Sequence, residues 1–223
     1  MIDSVRTRLT LGDCCRLLAV FFYEPDIPLW RKEKLCAYLA GLLKNISIEA
    51  SLAAEKMEKS LEDMNDEQTA VDYAALFVGP FELLAPPYGS VYLETTKRLM
   101  GDSTMAVMKM YQEAGLSVDV KEAPDHIAIE LEFMHYLYTL EAEAIHKDDN
   151  VKAQNLASMR NGFLSAYLAT WIPQFCEKIR IGADNMFYRN LADCLENFIK
   201  HELASLSLIN PDGASKHACQ AVI

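Results

Sequence analysis

The sequence predicts an all-α protein, a single bundle-like domain of about ten helices. Three observations carry that prediction. Apolar residues recur three and four positions apart through most of the chain, which gathers them on one face of a helix. Glycine and proline fall mostly between these stretches, where helices start and stop. No two alternating segments are joined by a hairpin turn; residues 117–120 alternate but are too few to count.

Taken in order, residues 4–23 carry Leu11, Cys14, Cys15, Leu18 and Phe22 at helical spacing, with Pro25 and Pro28 closing the helix. Residues 30–45 follow, with Leu35, Leu39 and Leu42 or Leu43 on one face, and then residues 48–64, whose Glu and Lys content suits an outer position. Residues 66–78 form the next helix, with Asp66 as N-cap and Gly79-Pro80 as the stop. Helix resumes over 92–99, and again over 104–114 behind a cap at Asp102 or Ser103, until Gly115 ends it. An extended link, 117–122, leads to Pro124, a favoured first-turn residue, and to a helix over 125–146 with Ile127, Leu131, Met134 and Tyr138 as its stripe. A helix over 152–170 is expected to stop near Trp171-Ile172-Pro173, before two more over 174–181 and 185–206. Residues 1–207 thus make the helical domain, and 208–223, with Asn-Pro-Asp-Gly at 210–213 and no periodicity, a flexible C-terminal tail.

Composition narrows the function. The 223 residues can bury a substantial core, and half are apolar, as in ordinary globular proteins. Thirty-two acidic against 21 basic residues give a net charge of −11, which argues against a nucleic-acid partner. It serves either solubility or attraction of basic ligands. The opening MIDSVRTRLTLGD places charges where a secretory leader needs an apolar run, and the best apolar run, 17–23, is too short for a bilayer. A cytoplasmic protein without stable membrane insertion is expected. Cysteines 14, 15, 36, 176, 194 and 219 include no Cys-x-x-Cys pair and read as reduced, buried side chains.

Two segments could carry function. Residues 79–89 hold Pro80, Pro86, Pro87 and Gly89 among Phe81, Leu83, Leu84 and Tyr88. Loops are ordinarily polar, so one this apolar either tucks into the core or walls a groove. The helix from Pro124 carries Asp125, His126, Glu130, Glu132, His135, Glu141, Glu143 and His146. Its two Glu-x-x-His pairs, Glu132/His135 and Glu143/His146, have the spacing of di-metal bundles, and a metal-dependent all-α enzyme built on residues 125–146 is the alternative function. Against it, the pairs share one helix, roughly 16 Å apart at 1.5 Å per residue, and residues 152–170 offer no acid to face them. A solvated acidic face is the simpler reading. Asp125 and His126 admit a cap, general-base chemistry without an identifiable nucleophile, or a seat for a cation. Phosphate loops are absent and no cofactor is required, while guanine-nucleotide and molybdopterin binding stay unknown from the sequence.

Residues Tyr73-Ala-Ala-Leu-Phe-Val-Gly-Pro-Phe-Glu-Leu-Leu-Ala-Pro-Pro-Tyr-Gly-Ser-Val-Tyr92, followed by Gly101-Asp-Ser-Thr104, Glu122-Ala-Pro-Asp-His-Ile127, Trp171-Ile-Pro-Gln-Phe175 and Phe187-Tyr-Arg189, resemble the TorD/DmsD/NarJ family of redox-enzyme maturation chaperones, over roughly residues 10–205. The resemblance implies an all-helical fold and no enzymatic activity. It implies a cytoplasmic chaperone that binds the twin-arginine signal peptide of a molybdopterin-containing reductase and delays export until cofactor insertion and folding are complete. The leader would be one partner surface and the folded body of the reductase subunit a second. By similarity, the signal-peptide-binding residues are Tyr73, Leu76, Phe81, Pro86, Pro87, Tyr88 and Tyr92, with Asp125 and His126 opposite, and residues 79–89 become groove wall. Where relatives often carry tryptophan, this chain has Phe81, Tyr88 and Tyr92.

Overall fold

Helix ends follow the caps and breaks that the chain supplies. The computed structural model describes residues 2–62, 64–79, 82–94, 101–117 and 122–209. They form α1 (Ile2–Val20), α2 (Ile27–Lys32), α3 (Leu35–Leu43), α4 (Ile48–Glu62), α5 (Asp66–Tyr73) prolonged by a π turn (Ala74–Val78), α6 (Ser90–Leu93), α7 (Asp102–Glu113), α8 (Ile127–His146), α9 (Asn150–Phe163), a second π turn (Leu164–Leu168), α10 (Ala169–Gly182) and α11 (Met186–Ile209). Because α9, its π turn and α10 are continuous, the described residues hold ten helical rods. They contain no strand, only an isolated antiparallel bridge between Tyr88 and His126.

Several boundaries correct the sequence reading. Pro28 does not close α1; it occupies the first turn of α2, where a missing N–H costs nothing, behind the cap formed by Asp26 accepting from Leu29 N at 3.0 Å. The single helix expected over 30–45 breaks at Lys34, whose φ is 51°. Arg31 anchors α2 to the carbonyl of Leu61 (2.9 Å) at the end of α4, and Trp30 turns inward onto Phe21 and Phe187. Asn65, not Asp66, caps α5, accepting from Glu67 N and Gln68 N, while Asp66 pairs with Arg31 at 2.8 Å. Gly79 (φ 95°) and Gly115 (φ 84°) terminate their helices as expected.

Pro173 is no stop either. It lies inside α10, shortly after the second π turn. A proline ring collides with the carbonyl four residues earlier, here that of Ala169, and the wider π turn ends at this point of the rod, where it can absorb the misfit. Pro124 lies just outside α8 rather than in its first turn; His126 is the cap, its Nδ1 accepting from Ala128 N at 3.2 Å. Phe81, Pro80, residues 95–100 and 118–121, Cys219 and positions 210–223 of the expected tail lie outside the described residues.

Helices α1 and α8 run antiparallel in close contact: Arg8 meets Glu141, and Gly12 faces His135 and Tyr138. A Cβ at Gly12 would lie 3.1 Å from that of Tyr138, so the glycine sets the closeness of the two helices. Around this pair α9 packs on α8, α4 on α3 and α11, and α10 on α11. One continuous apolar core joins them, and Cys14, Cys15, Cys36, Cys176 and Cys194 are free and buried within it. Burial pushes the Cys14 thiol up to about 12, so it behaves as a small apolar side chain.

The acidic residues of α8 are not the solvated face expected from sequence. Glu132 and Glu143 are exposed, but Glu130 and Glu141 are buried. Glu141 accepts from Arg8 Nε (2.7 Å) and Arg160 Nε (3.0 Å). The Arg160 guanidinium also lies over the Tyr138 ring, 4.4 Å from its centroid, and Tyr138 Oη donates to Glu202. This hub ties α1, α8, α9 and α11 together. No helix among the described residues is long and apolar enough to cross a membrane.

Candidate functional site

The chain end of α5 starts the site. After the π turn, the loop folds back on it: Leu84 N donates to Ala75 O (3.3 Å) and Ala85 N to Leu76 O (3.0 Å). The same loop is then stitched to the start of α8. Ile127 N donates to Pro87 O and Gly89 N to Asp125 O, each at 2.9 Å, forming the Tyr88–His126 bridge. Two segments forty residues apart are thereby held side by side.

The loop divides its residues between inside and outside. Ala85, Pro87 and Gly89 are buried, Pro86 and Tyr88 half-buried, Leu84 exposed. Gly89 packs against Trp171, where any Cβ would approach Nε1 to 3.0 Å. Leu76 is fully buried. Tyr92 is half-buried, stacked on Trp171 with its hydroxyl donating to Pro86 O at 2.9 Å.

Asp125 faces inward. It is 1 % exposed, and its Oδ2 accepts from Ser90 N at 2.7 Å, capping the short α6. Below it Glu130 accepts from Trp171 Nε1 at 3.1 Å. Burial pushes the Glu130 carboxyl well above its usual range, the Asp125 charge adds to this, and the Trp171 hydrogen bond opposes it. These two acids position the loop from beneath.

The accessible chemistry lies on the other side of His126. A cavity of about 540 Å³ opens there, lined by Tyr23 and Glu24 after α1, Ala70, Tyr73, Ala74 and Val78 of α5 and its π turn, and Glu122 and His126 before α8. None of these lining residues is a lysine or an arginine. Tyr23 stacks on the His126 ring (centroids 6.1 Å, planes 14° apart) and Tyr88 meets it edge-on at 5.3 Å. Tyr88 Oη donates to Glu122 at 2.9 Å and Tyr73 Oη to Phe22 O at 3.3 Å. Burial, reinforced by Glu122 and Glu24, pushes the Tyr73 hydroxyl up to about 12. Burial pushes His126 down to about 4 against the pull of Glu122 and Asp125, so the ring is neutral at pH 7. The cavity therefore presents carboxylates and tyrosine rings without a resident cation, a combination suited to a guanidinium.

Of the residues expected from sequence, Tyr73 and His126 line the cavity and Tyr88 borders it through Glu122. Leu76, Pro87 and Asp125 lie beneath, Pro86 and Tyr92 lie to the Trp171 side, and Phe81 is outside the described residues. Tyr23 and Glu24 were missed. The signal was present, an aromatic and an acid directly before Pro25, but only the antiparallel packing of α1 on α8 places it at residue 126. For the metal alternative, no three His, Cys, Asp or Glu side chains are grouped to hold an ion among the described residues.

Comparison with known proteins places the fold and the chain. Residues 38–177 match the family described as nitrate reductase delta subunit. The chain belongs to the nitrate reductase delta subunit family. It is 29 % identical over 199 residues to the chaperone protein TorD of Vibrio parahaemolyticus, covering 85 % of this chain and 89 % of TorD. It is 30 % identical over 192 residues to the probable Tat proofreading chaperone DmsD of Haemophilus influenzae, covering 79 % and 82 %. A crystal structure from Archaeoglobus fulgidus, of a candidate redox enzyme maturation protein, shares the fold with a TM-score of 0.54 at 20 % identity, over 85 % of this chain and 93 % of that one. This member of the delta subunit family is thus a chaperone of the TorD/DmsD type and not an enzyme. The family match spans the π turn, the loop and the start of α8, but begins after Tyr23 and Glu24.

Proposed function

We propose that this chaperone binds the twin-arginine signal peptide of a molybdopterin-containing reductase in the cytoplasm and holds the enzyme back from export until its cofactor is in place. The observation that carries this reading is the cavity between the ends of α1 and α5 and the start of α8. Its carboxylates, Glu24 and Glu122, and its rings, Tyr23 and Tyr73, with Tyr88 at the border, offer charge-assisted hydrogen bonds and π faces to an arginine. Residues 84–89 are already pinned by four backbone hydrogen bonds, two to the π turn and two to the start of α8, so little ordering of that segment is left to oppose binding. The name of the DmsD relative, a Tat proofreading chaperone, agrees with this ligand.

A fluorescently labelled leader peptide tests it. Anisotropy titration is expected to show saturable binding that weakens when both arginines become glutamine. A peptide bound equally well without its arginines would leave the cavity without its proposed ligand.

A further inference from the structure

The loop that borders the cavity rests on an indole. Trp171 is wholly buried on α10, and its Nε1 donates to Glu130 Oε2 on α8 at 3.1 Å. A Cβ on Gly89 would stand 3.0 Å from the same nitrogen, and the Tyr92 ring stacks on the indole with centroids 5.5 Å apart. Gly89 N also donates to Asp125 O, beside the bridge that pairs Tyr88 with His126. A displaced indole would therefore displace Gly89, and with it Tyr88 and the hydrogen bond that Tyr88 gives to Glu122. The backbone under Trp171 is the irregular part of its rod. The second π turn ends at Leu168, and Pro173, two residues beyond Trp171, has no N–H to give to Ala169 O. Helices bend at such places, so the side-chain bond to Glu130 matters more here than in a regular helix.

We propose that Trp171, held by Glu130, is a positioning residue of the leader site: the indole sets where the loop lies, and so where Tyr88 and Glu122 stand about the guanidinium. This rests on the leader-binding reading above. Neither residue touches a leader, since Trp171 is 0 % and Glu130 1 % exposed. Their effect passes through Gly89 and Tyr88, and it falls on recognition of the arginines rather than on the rest of the peptide.

The test uses the full chain with Trp30→Phe as parent, which leaves Trp171 as its one tryptophan. In that parent, Glu130→Leu removes the acceptor, Glu130→Gln restores one, and Gly89→Ala presses a Cβ onto the indole while leaving α8 and α10 unaltered. Thermal melts confirm folding; where Glu130→Leu fails to fold, Gly89→Ala decides. Each protein is titrated with the natural leader and with a leader whose arginines are glutamine. Glu130→Leu and Gly89→Ala are expected to shift Trp171 emission and to weaken natural-leader binding about three- to tenfold. Glu130→Gln is expected to behave as the parent, and the glutamine leader to bind all four proteins alike. Equal losses for both leaders would mark a general loosening, overturning the proposal and leaving the cavity reading intact. Unchanged affinity in Glu130→Leu and Gly89→Ala, or affinity lost without a shift in emission, would overturn it too. A natural leader that fails to bind the parent overturns both readings.

Discussion

Two regions of this molecule use the same chemical groups and differ in what completes them. In the hub between α1, α8, α9 and α11, Glu141 is answered by Arg8 and Arg160, and the Arg160 guanidinium lies over Tyr138. At the cavity, Glu24, Glu122, Tyr23, Tyr73 and the bordering Tyr88 repeat the carboxylate and tyrosine half of that arrangement, and none of the described lining residues is a lysine or an arginine. In the hub the chain supplies its own arginines, and the result is a fixed joint. At the cavity the lining holds no lysine or arginine, and under the proposed function a bound leader supplies the guanidinium. The proposed function therefore predicts that mutations in the hub change stability and that those at the cavity change leader affinity.

The largest expected effect sharpens that division. Arg160→Ala leaves Glu141 buried with one partner fewer and removes the cation from Tyr138, and should cost about 3–5 kcal/mol in urea unfolding. Leader affinity of the molecules that remain folded should be unchanged; a parallel loss of affinity would break the comparison.

The next effect concerns the seam between cavity and core, where His126 and Glu130 respond oppositely to pH. The folded protein keeps His126 neutral down to about pH 4, whereas the unfolded chain takes up that proton near 6.5. Stability from this group is complete above pH 6.5 and lost as pH falls towards 4, by up to roughly 1.4 kcal/mol per pH unit. Glu130 retains a proton that the unfolded chain releases above its ordinary 4.5, so its contribution declines as pH rises. His126→Asn, which keeps a capping side chain, should flatten the acid loss in urea midpoints measured from pH 4 to 6.5. Glu130→Gln, which keeps an acceptor for Trp171, should raise stability at neutral pH. Unaltered pH profiles in both variants would contradict the burial argument.

Smaller effects belong to the cavity itself. Tyr88→Ala removes a ring and frees Glu122, and should weaken leader binding about tenfold by calorimetry. Its stability should shift by only about 1 kcal/mol. Glu24→Gln, at the rim, should weaken binding roughly two- to threefold, with the difference fading as salt is added.

The helices were legible wherever local chemistry decides them. The stripe Ile127, Leu131, Met134 and Tyr138, and the stop at Gly115, came directly from spacing and backbone preference. Pro28 and Pro173 misled because a proline's meaning depends on its position in a turn, and on a π turn that no periodicity announces. The loop and the start of α8 were both visible as peculiar segments, and the structure brings them together. Asp125 looked like an arginine seat because an acid before a helix is compatible with a ligand; in the fold its carboxylate turns inward to Ser90 N. Tyr23 and Glu24 escaped because their partners are a hundred residues away, and only the close approach of α1 to α8 at Gly12 makes them neighbours of His126.

The central claim, that an arginine of the leader is held at Glu122, is tested most directly by a double-mutant cycle. Affinities are measured for wild type and Glu122→Gln, each with the natural leader and with a leader whose arginines are replaced by glutamine. The account predicts a coupling of at least about 1 kcal/mol between the glutamate and the arginines. Additive losses, with no coupling, would contradict it.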